Sequence, residues 1–580
     1  MASSANEFDV AIVGGGPAGS TAGVYLKKLN PDLRVGVFEM AKFPREHVGE
    51  SQLPTCGFYL DEMGCWDKME AANFPIKIGA TYRWGQSPEP WDFEFLPPER
   101  LDGHTRPGRY EGPRRLTAWQ VDRAVYDDIL LRHAEELGCE VFEETRVAKA
   151  HRDGDTIERL DLSTGEQVTA KWYLDGSGHR GVLRRALGVK SEAPTTLMNI
   201  AFWDYWEDAE WAVTIGAGGT RVQVMSIGDG WLWFIPISPT RTSVGYICPV
   251  EHYKKRGKSP EEMYTEAIAR EPRISKLLRK ARRDGETKST SDWSFIAERL
   301  TGPNWFLIGE SAGFADPILA GGLTLTHGSA RAAAHMIVAI ERGEHDAEWL
   351  QTHYDESERR RIMRFIRFAD FWYASNGLFS DLQEHCASIA SETGMKMTPN
   401  AAFRWLSLGG FTPEDGARPG IGGLDLGAVK IVTGKFTTDQ SADWELNKYN
   451  TFRLNLVGAK KDAVPLIANG RIERVEGYRR GPNRLPLAGA FGVMHDILKR
   501  HSDMLSIGRE VENAAKALRW LKSWDAMAAL ETMLIDRWVI GKVDKRKPMP
   551  KYLPEGPDGK TNFHPNEDPH PNLNDRVAAS

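Results

Sequence analysis

Gly14, Gly16 and Gly19 follow a short apolar run, Phe8 to Val13, and lead into helical periodicity from Ser20 to Lys28. At this GxGxxG spacing, with Ala18 before the last glycine, amides at a helix N-terminus can approach a pyrophosphate with no Cβ in the way. Glu39 closes the next apolar strand, Arg34 to Phe38, where a carboxylate accepts ribose hydroxyls and argues against a 2′-phosphate. FAD and NAD share such a βαβ unit. A second group is Lys77, flanked by Ile76 and Ile78 in a strand-like run. Strand alternation turns it to the face opposite its neighbours, and enclosure there would lower its pKa and make it a better nucleophile.

Other reactive residue types form no signature. The 15 histidines show no HExxH spacing, there is no GxSxG, and the five cysteines (Cys56, Cys65, Cys139, Cys248, Cys386) include no CxxC pair. Neither a metal site nor a disulfide framework is expected, and the cysteine usage fits a reducing cytoplasm.

The elements that position these residues belong to a chain of 580 residues, long enough for two or three packed units. Its net charge of −6 speaks against nucleic acid as a partner. No apolar run approaches the roughly 18 residues that cross a bilayer, and the start MASSANEFDV resembles no secretory signal. A helix is expected from Trp119 to Leu137, a hairpin across Ser163 to Glu166, and an antiparallel sheet over Asn199 to Val250. A helix follows at 260–282 and, after a strand at Trp305 to Ile308, another at 323–342. Beyond Glu348 the pattern reads as mostly helical to about Ile540, broken by a glycine-rich stretch at 409–427. Residues 545–571 carry seven prolines and read as a tail. The expected domains are 1–345, with an inserted sheet at about 190–300, then a mainly helical region at 346–544 and the tail at 545–580.

Three more segments resemble those of flavin monooxygenases: Asp175-Gly-Ser-Gly178, Gln120-Val-Asp-Arg123, and Gly309-Glu-Ser-Ala-Gly-Phe-Ala-Asp-Pro317. The resemblance implies an α/β, Rossmann-like FAD-binding fold of the flavin monooxygenase type, with an antiparallel sheet over the substrate. Arg123, Asp175, Gly178, Glu310 and Asp316 would then lie at the FAD; Glu310 stands where the family usually has aspartate. Gly230-Trp-Leu-Trp-Phe-Ile-Pro236 contains Trp231, Trp233, Ile235 and Pro236 in the pattern WxWxIP, which resembles flavin-dependent halogenases. In that family large rings keep an organic substrate from the flavin C4a-hydroperoxide and leave room for halide. Lys77, in its KxGA setting, matches the family lysine that hydrogen-bonds hypohalous acid or forms a haloamine. Gly321 and Gly322 match backbone chloride or bromide ligands, although the family serine is Ala320. Leu319 replaces the glutamate of tryptophan halogenases, which favours phenols, pyrroles or other rings over free tryptophan. Glu50 and Ser51, in Gly49-Glu-Ser51, match a segment near the flavin.

The resemblance thus implies FADH2-dependent halogenation of an electron-rich aromatic substrate, free or carrier-tethered, with reduced flavin from a separate reductase. The C-terminal helices would shape the substrate site. The alternatives are an FAD-dependent aromatic hydroxylase, a prenyl-chain reductase of related fold, and a flavoprotein scaffold that recognises a partner without chemistry.

Overall fold

A buried strand, a glycine turn and an apolar helix start the chain: β1 (Glu7–Val13), α1 (Pro17–Leu29) and β2 (Val35–Phe38). Pro17 opens α1 because its fixed φ suits a first helical turn. β1 and β2 pair in parallel from Val10–Val35 to Val13–Phe38. This computed structural model describes residues 6–374 and 444–552, apart from 85–88, 97, 196, 292–293, 482 and 551, and in addition 420–421 and 424–425. Cys386, Trp405, most of the 409–427 stretch and the tail beyond Tyr552 lie outside the described residues.

Next come β3 (Ile76–Arg83), β4 (Ala118–Trp119), α2 (Arg123–Glu136) and β5 (Glu140–Phe142). The expected helix from Trp119 begins at Arg123, because Asp122 caps it by accepting from the Ala124 amide; Trp119 is in a strand. β6 (Thr156–Leu162) and β7 (Gln167–Asp175) form the expected hairpin. Four long strands follow: β8 (Asn199–Glu207), β9 (Gly219–Ser226), β10 (Trp231–Pro236) and β11 (Arg241–Pro249). Helix α3 (Pro260–Arg270), strand β12 (Trp305–Leu307) and helices α4 (Gly322–Glu341) and α5 (Ala347–Ala374) complete the series.

The body of one sheet runs β12-β7-β1-β2-β5 with these five strands parallel, and β6 joins β7 antiparallel. Parallel strands need crossovers and covered faces, which accounts for the unbroken buried runs Val10 to Val13 of β1 and Val35 to Phe38 of β2. The second sheet is larger than the 190–300 insert expected from sequence. Its order is β8-β11-β10-β9-β3, and β4 also pairs with β3, so residues from before the insert belong to it. Local periodicity carries no record of such a long-range pairing.

Alternation gives this sheet two distinct faces. Leu232 and Phe234 of β10 pack with Phe202, Met225, Val244 and Tyr246 against Met263 and Tyr264 of α3. Trp231, Trp233 and Ile235 occupy the opposite face.

The chain divides into two compact units, residues 1–372 and 373–580, so the first runs past the expected boundary at 345. In the second unit, helices at Gly489–Arg500, Met504–Ala517 and Ser523–Ile535 surround a core that includes Phe491, Met494, Leu530 and Trp538. The helical reading of this stretch is incomplete. Lys460–Ala468, Arg471–Arg480 and Asn483–Pro486 form an antiparallel sheet whose charged, half-buried strands lack a marked apolar alternation. Among the described residues no helix is long and apolar enough to cross a membrane.

Candidate active site

The glycine turn is closed to side chains by its neighbours. Gly14 has φ of +101°, and a Cβ there would stand 2.5 Å from the Gly176 carbonyl oxygen. A Cβ on Gly19 would stand 1.9 Å from the Gly14 oxygen, so only glycine lets α1 pack on the turn. Gly16 is the N-cap of α1, whose first amides are free of helical partners. Arg45, which the sequence reading missed, puts a guanidinium nitrogen 3.2 Å from where a Gly16 Cβ would be. It also pairs with Asp127 at 3.2 Å. Glu39 is buried, and its two oxygens accept from the Gly15 amide at 2.7 Å and the Ala41 amide at 2.8 Å. Each oxygen keeps a further lone pair for a hydroxyl. Ala18 packs against Gly309 of the late segment, where a Cβ would come within 2.9 Å of the Ala18 methyl.

Asp175 shapes this cleft from behind. Its fully buried carboxylate accepts from Ser177, Leu183 and Arg184 amides, which fixes the loop through Gly178. A Cβ on Gly178 would lie 3.8 Å from a Glu310 oxygen, so the longer Glu310 side chain reaches that loop. Arg123 is buried, bonded to Asp127 at 2.7 and 3.0 Å and to the Val48 and Gly49 carbonyls. It anchors the loop that carries Glu50 and Ser51.

Lys77 is buried at 4% exposure. Its ammonium donates to Ser51 Oγ and to the Gln52 carbonyl, both at 2.8 Å, and faces the Phe95 ring at 5.4 Å. Burial pushes its pKa down to about 7, against a smaller opposing effect of Cys56. Simple alternation along β3 would put Lys77 opposite Ala80 and Tyr82. A register shift prevents this: Thr220 of β9 pairs with Lys77 while Arg221 pairs with Gly79, which leaves Ile78 as a bulge. Lys77 therefore lines up with Thr220, Val222 and Val224, and Val224 pairs with both Tyr82 and Trp233. The bulge brings Lys77 onto the face of Trp231, Trp233 and Ile235.

On that face Trp231 and Trp233 lie 6.0 Å apart, and Trp233 donates its indole N–H to Ser243 Oγ at 3.0 Å. Gly245, paired with Trp233, gives the indole its room. It too was missed, although a glycine inside a strand signals close approach. Pro236 ends β10.

In the late segment Asp316 is a structural group, accepting from Asn199 Nδ2 at 2.9 Å and the Ile318 amide at 3.0 Å. Ala320 adopts a left-handed φ of +53° just before α4. Gly321 and Gly322 open that 20-residue helix, and a Cβ on either would strike Phe365 (2.1 Å) or Phe314 (2.8 Å). The helix N-terminus there is suited to an anion. The side chain of Leu319 lies outside the described residues.

A glycine cradle that any Cβ would fill, an arginine at the helix N-terminus and a carboxylate at the second strand together fit an FAD dinucleotide. The FAD binding domain family matches residues 7–369. A chlorinase of 1H-pyrrole-2-carbonyl-[peptidyl-carrier protein] from Pseudomonas fluorescens is 32% identical over 390 residues, 65% of this chain and 85% of that protein. A tryptophan 2-halogenase from Chondromyces crocatus is 31% identical over 382 residues, 63% of this chain and 68% of that one. Among solved structures, the myxobacterial chondrochloren halogenase CndH has a TM-score of 0.58 at 28% identity, covering 69% of this chain and 92% of its own. The flavin-dependent halogenase CmlS has the same fold, with a TM-score of 0.70 at 24% identity over 95% of this chain and 98% of its own. With an FAD site, a buried lysine and paired tryptophans on one sheet face, this chain belongs to the flavin-dependent halogenases, enzymes that use FAD and halide.

Proposed function

We propose that the enzyme halogenates an electron-rich aromatic ring of the phenol, pyrrole or indole type, free or carrier-tethered, through Lys77. The observation that carries this reading is the bulge that puts Lys77 on the face of the WxWxIP side chains. Bound FAD, once reduced, supplies the oxygen activation that turns halide into an electrophilic halogen. Electrons come from a separate reductase, since the sequence has no second GxGxxG-plus-acid unit for a nicotinamide.

The chain's own residues have distinct tasks. Gly14, Gly16, Gly19, Arg45 and Glu39 hold the dinucleotide. Amides of Gly321 and Gly322 hold the halide at the N-terminus of α4. Trp231, Trp233, Ile235 and Pro236 wall off the organic substrate, so that the oxidised halogen leaves as hypohalous acid. Lys77 receives it. At neutral pH a lysine held near 7 exists both as a hydrogen-bonding ammonium and as a free amine able to form a haloamine.

The test is mass spectrometry of products from phenols, pyrroles and indoles, free and carrier-bound, with FAD, a reductase, NADH, oxygen and bromide. A bromine isotope doublet made by the native protein and absent with Lys77→Ala is expected. Oxygenated products from both proteins would replace this reading with aromatic hydroxylation.

A further inference from the structure

Glu50 precedes Ser51, the hydroxyl acceptor of Lys77, yet its own side chain turns to the sheet. It is 2% exposed, and its Oε1 has no hydrogen-bond partner among the described residues. The groups beside its carboxyl are the Tyr205 and Ser243 hydroxyls. These two residues are a cross-strand pair of β8 and β11, and Ser243 pairs in turn with Ile235 of β10. Both therefore stand on the face of Trp231, Trp233 and Lys77.

Ser243 connects this carboxyl to the motif. Its Oγ accepts the Trp233 indole N–H at 3.0 Å, which leaves the hydroxyl hydrogen to be donated elsewhere. The carboxyl of Glu50 is the acceptor beside it. We propose that Glu50 is a positioning residue: through Ser243 it orients the Trp233 indole, and through its chain neighbour Ser51 it ties that ring to the seat of Lys77. The inference rests on the reading of Lys77 and Trp233 given above.

Burial raises the Glu50 pKa to about 7, opposed by the two hydroxyls and by Arg123, while Asp122 adds to the rise. Arg241, 4.0 Å from the Tyr205 ring, Lys288 at 4.6 Å, and Glu46, bonded to both, complete the charged surroundings on the Tyr205 side. An ionised Glu50 accepts from Ser243 and holds its hydroxyl in the orientation that receives the indole. A protonated Glu50 has a hydrogen of its own to donate, so Ser243 and Trp233 rearrange as the pH falls through neutrality.

The test uses the full-length holoenzyme labelled with 5-fluorotryptophan and followed by 19F NMR, with the Trp233 resonance assigned by its loss in Trp233→Phe. In the native protein that resonance should shift with a midpoint near pH 7. In Glu50→Gln and in Ser243→Ala it should be flat with pH; if Glu50→Gln does not fold, Ser243→Ala decides. A Trp233 titration that persists unchanged in the folded variants overturns the proposal. The resonance is read without turnover. A titrating Trp233 with no halogenated product would therefore sink the proposed reaction and leave the Glu50 linkage standing.

Discussion

Gly245 and Trp233 face each other across two strands so closely that a Cβ on Gly245 would stand 2.2 Å from the indole Cζ2. The ring lies flat over the neighbouring strand because nothing projects from it there, and its N–H thereby reaches Ser243. Gly245→Ala must displace the indole. We expect a loss of about 1–3 kcal/mol in stability from overpacking and a larger share of flavin oxidation ending as hydrogen peroxide. Urea denaturation and peroxide release per FADH2 consumed check the two effects.

Gly79 supports the bulge that aims Lys77. A Cβ at that position would stand 1.9 Å from the Phe93 carbonyl oxygen. Since the atoms it would meet are backbone and cannot swing aside, Gly79→Ala is expected to cost about 3 kcal/mol or more and to return Lys77 to the wrong face. Thermal unfolding and product formation should both show the defect, whereas flavin binding should survive in whatever fraction folds.

The charge of Lys77 should be visible in stability. With its pKa lowered from 10.5 to about 7, the folded chain binds fewer protons than the unfolded chain between those values, so stability rises with pH across that window. Lys77→Met should therefore stabilise the protein below pH 7, by about 2–4 kcal/mol. The advantage should disappear as pH approaches 10.5. Chemical denaturation at a series of pH values tests this; an advantage that is the same at every pH would refute the buried-charge account.

Glu50 should behave in the opposite sense. Its folded pKa of about 7 exceeds the ordinary 4.5, so its contribution is full below 4.5 and lost as pH rises through 7. Glu50→Gln should unfold at higher urea than the native protein at pH 8, by about 2–3 kcal/mol, and show no such gain at pH 4.

Arg45 is the cation at the N-terminus of α1. Arg45→Ala should weaken FAD binding about tenfold, the scale of one charge-assisted hydrogen bond. Asp127 keeps Arg123 as its partner, so stability should change little. Titration of FAD into the apoprotein, read by flavin fluorescence, measures the loss.

The sequence by itself determined the parts of this protein that are local. The glycine turn with Glu39, the alternating Trp231, Trp233 and Ile235, and the glycines at 321 and 322 each depend on spacing within a few residues, so their presence and the FAD and halogenase readings were legible in the chain. Only the tertiary structure decided which groups meet. Lys77 reaches the tryptophan face because a pairing between residues far apart in sequence skips Ile78, and a one-residue shift reverses the face of a strand residue. Arg45 and Gly245 had no motif of their own, since one is defined by the helix end it faces and the other by the ring above it. Asp175, Asp316 and Glu50 are expected at the flavin from pattern alone. Their tasks as anchors of loop, strand and sheet depend on amides and hydroxyls brought to them by folding.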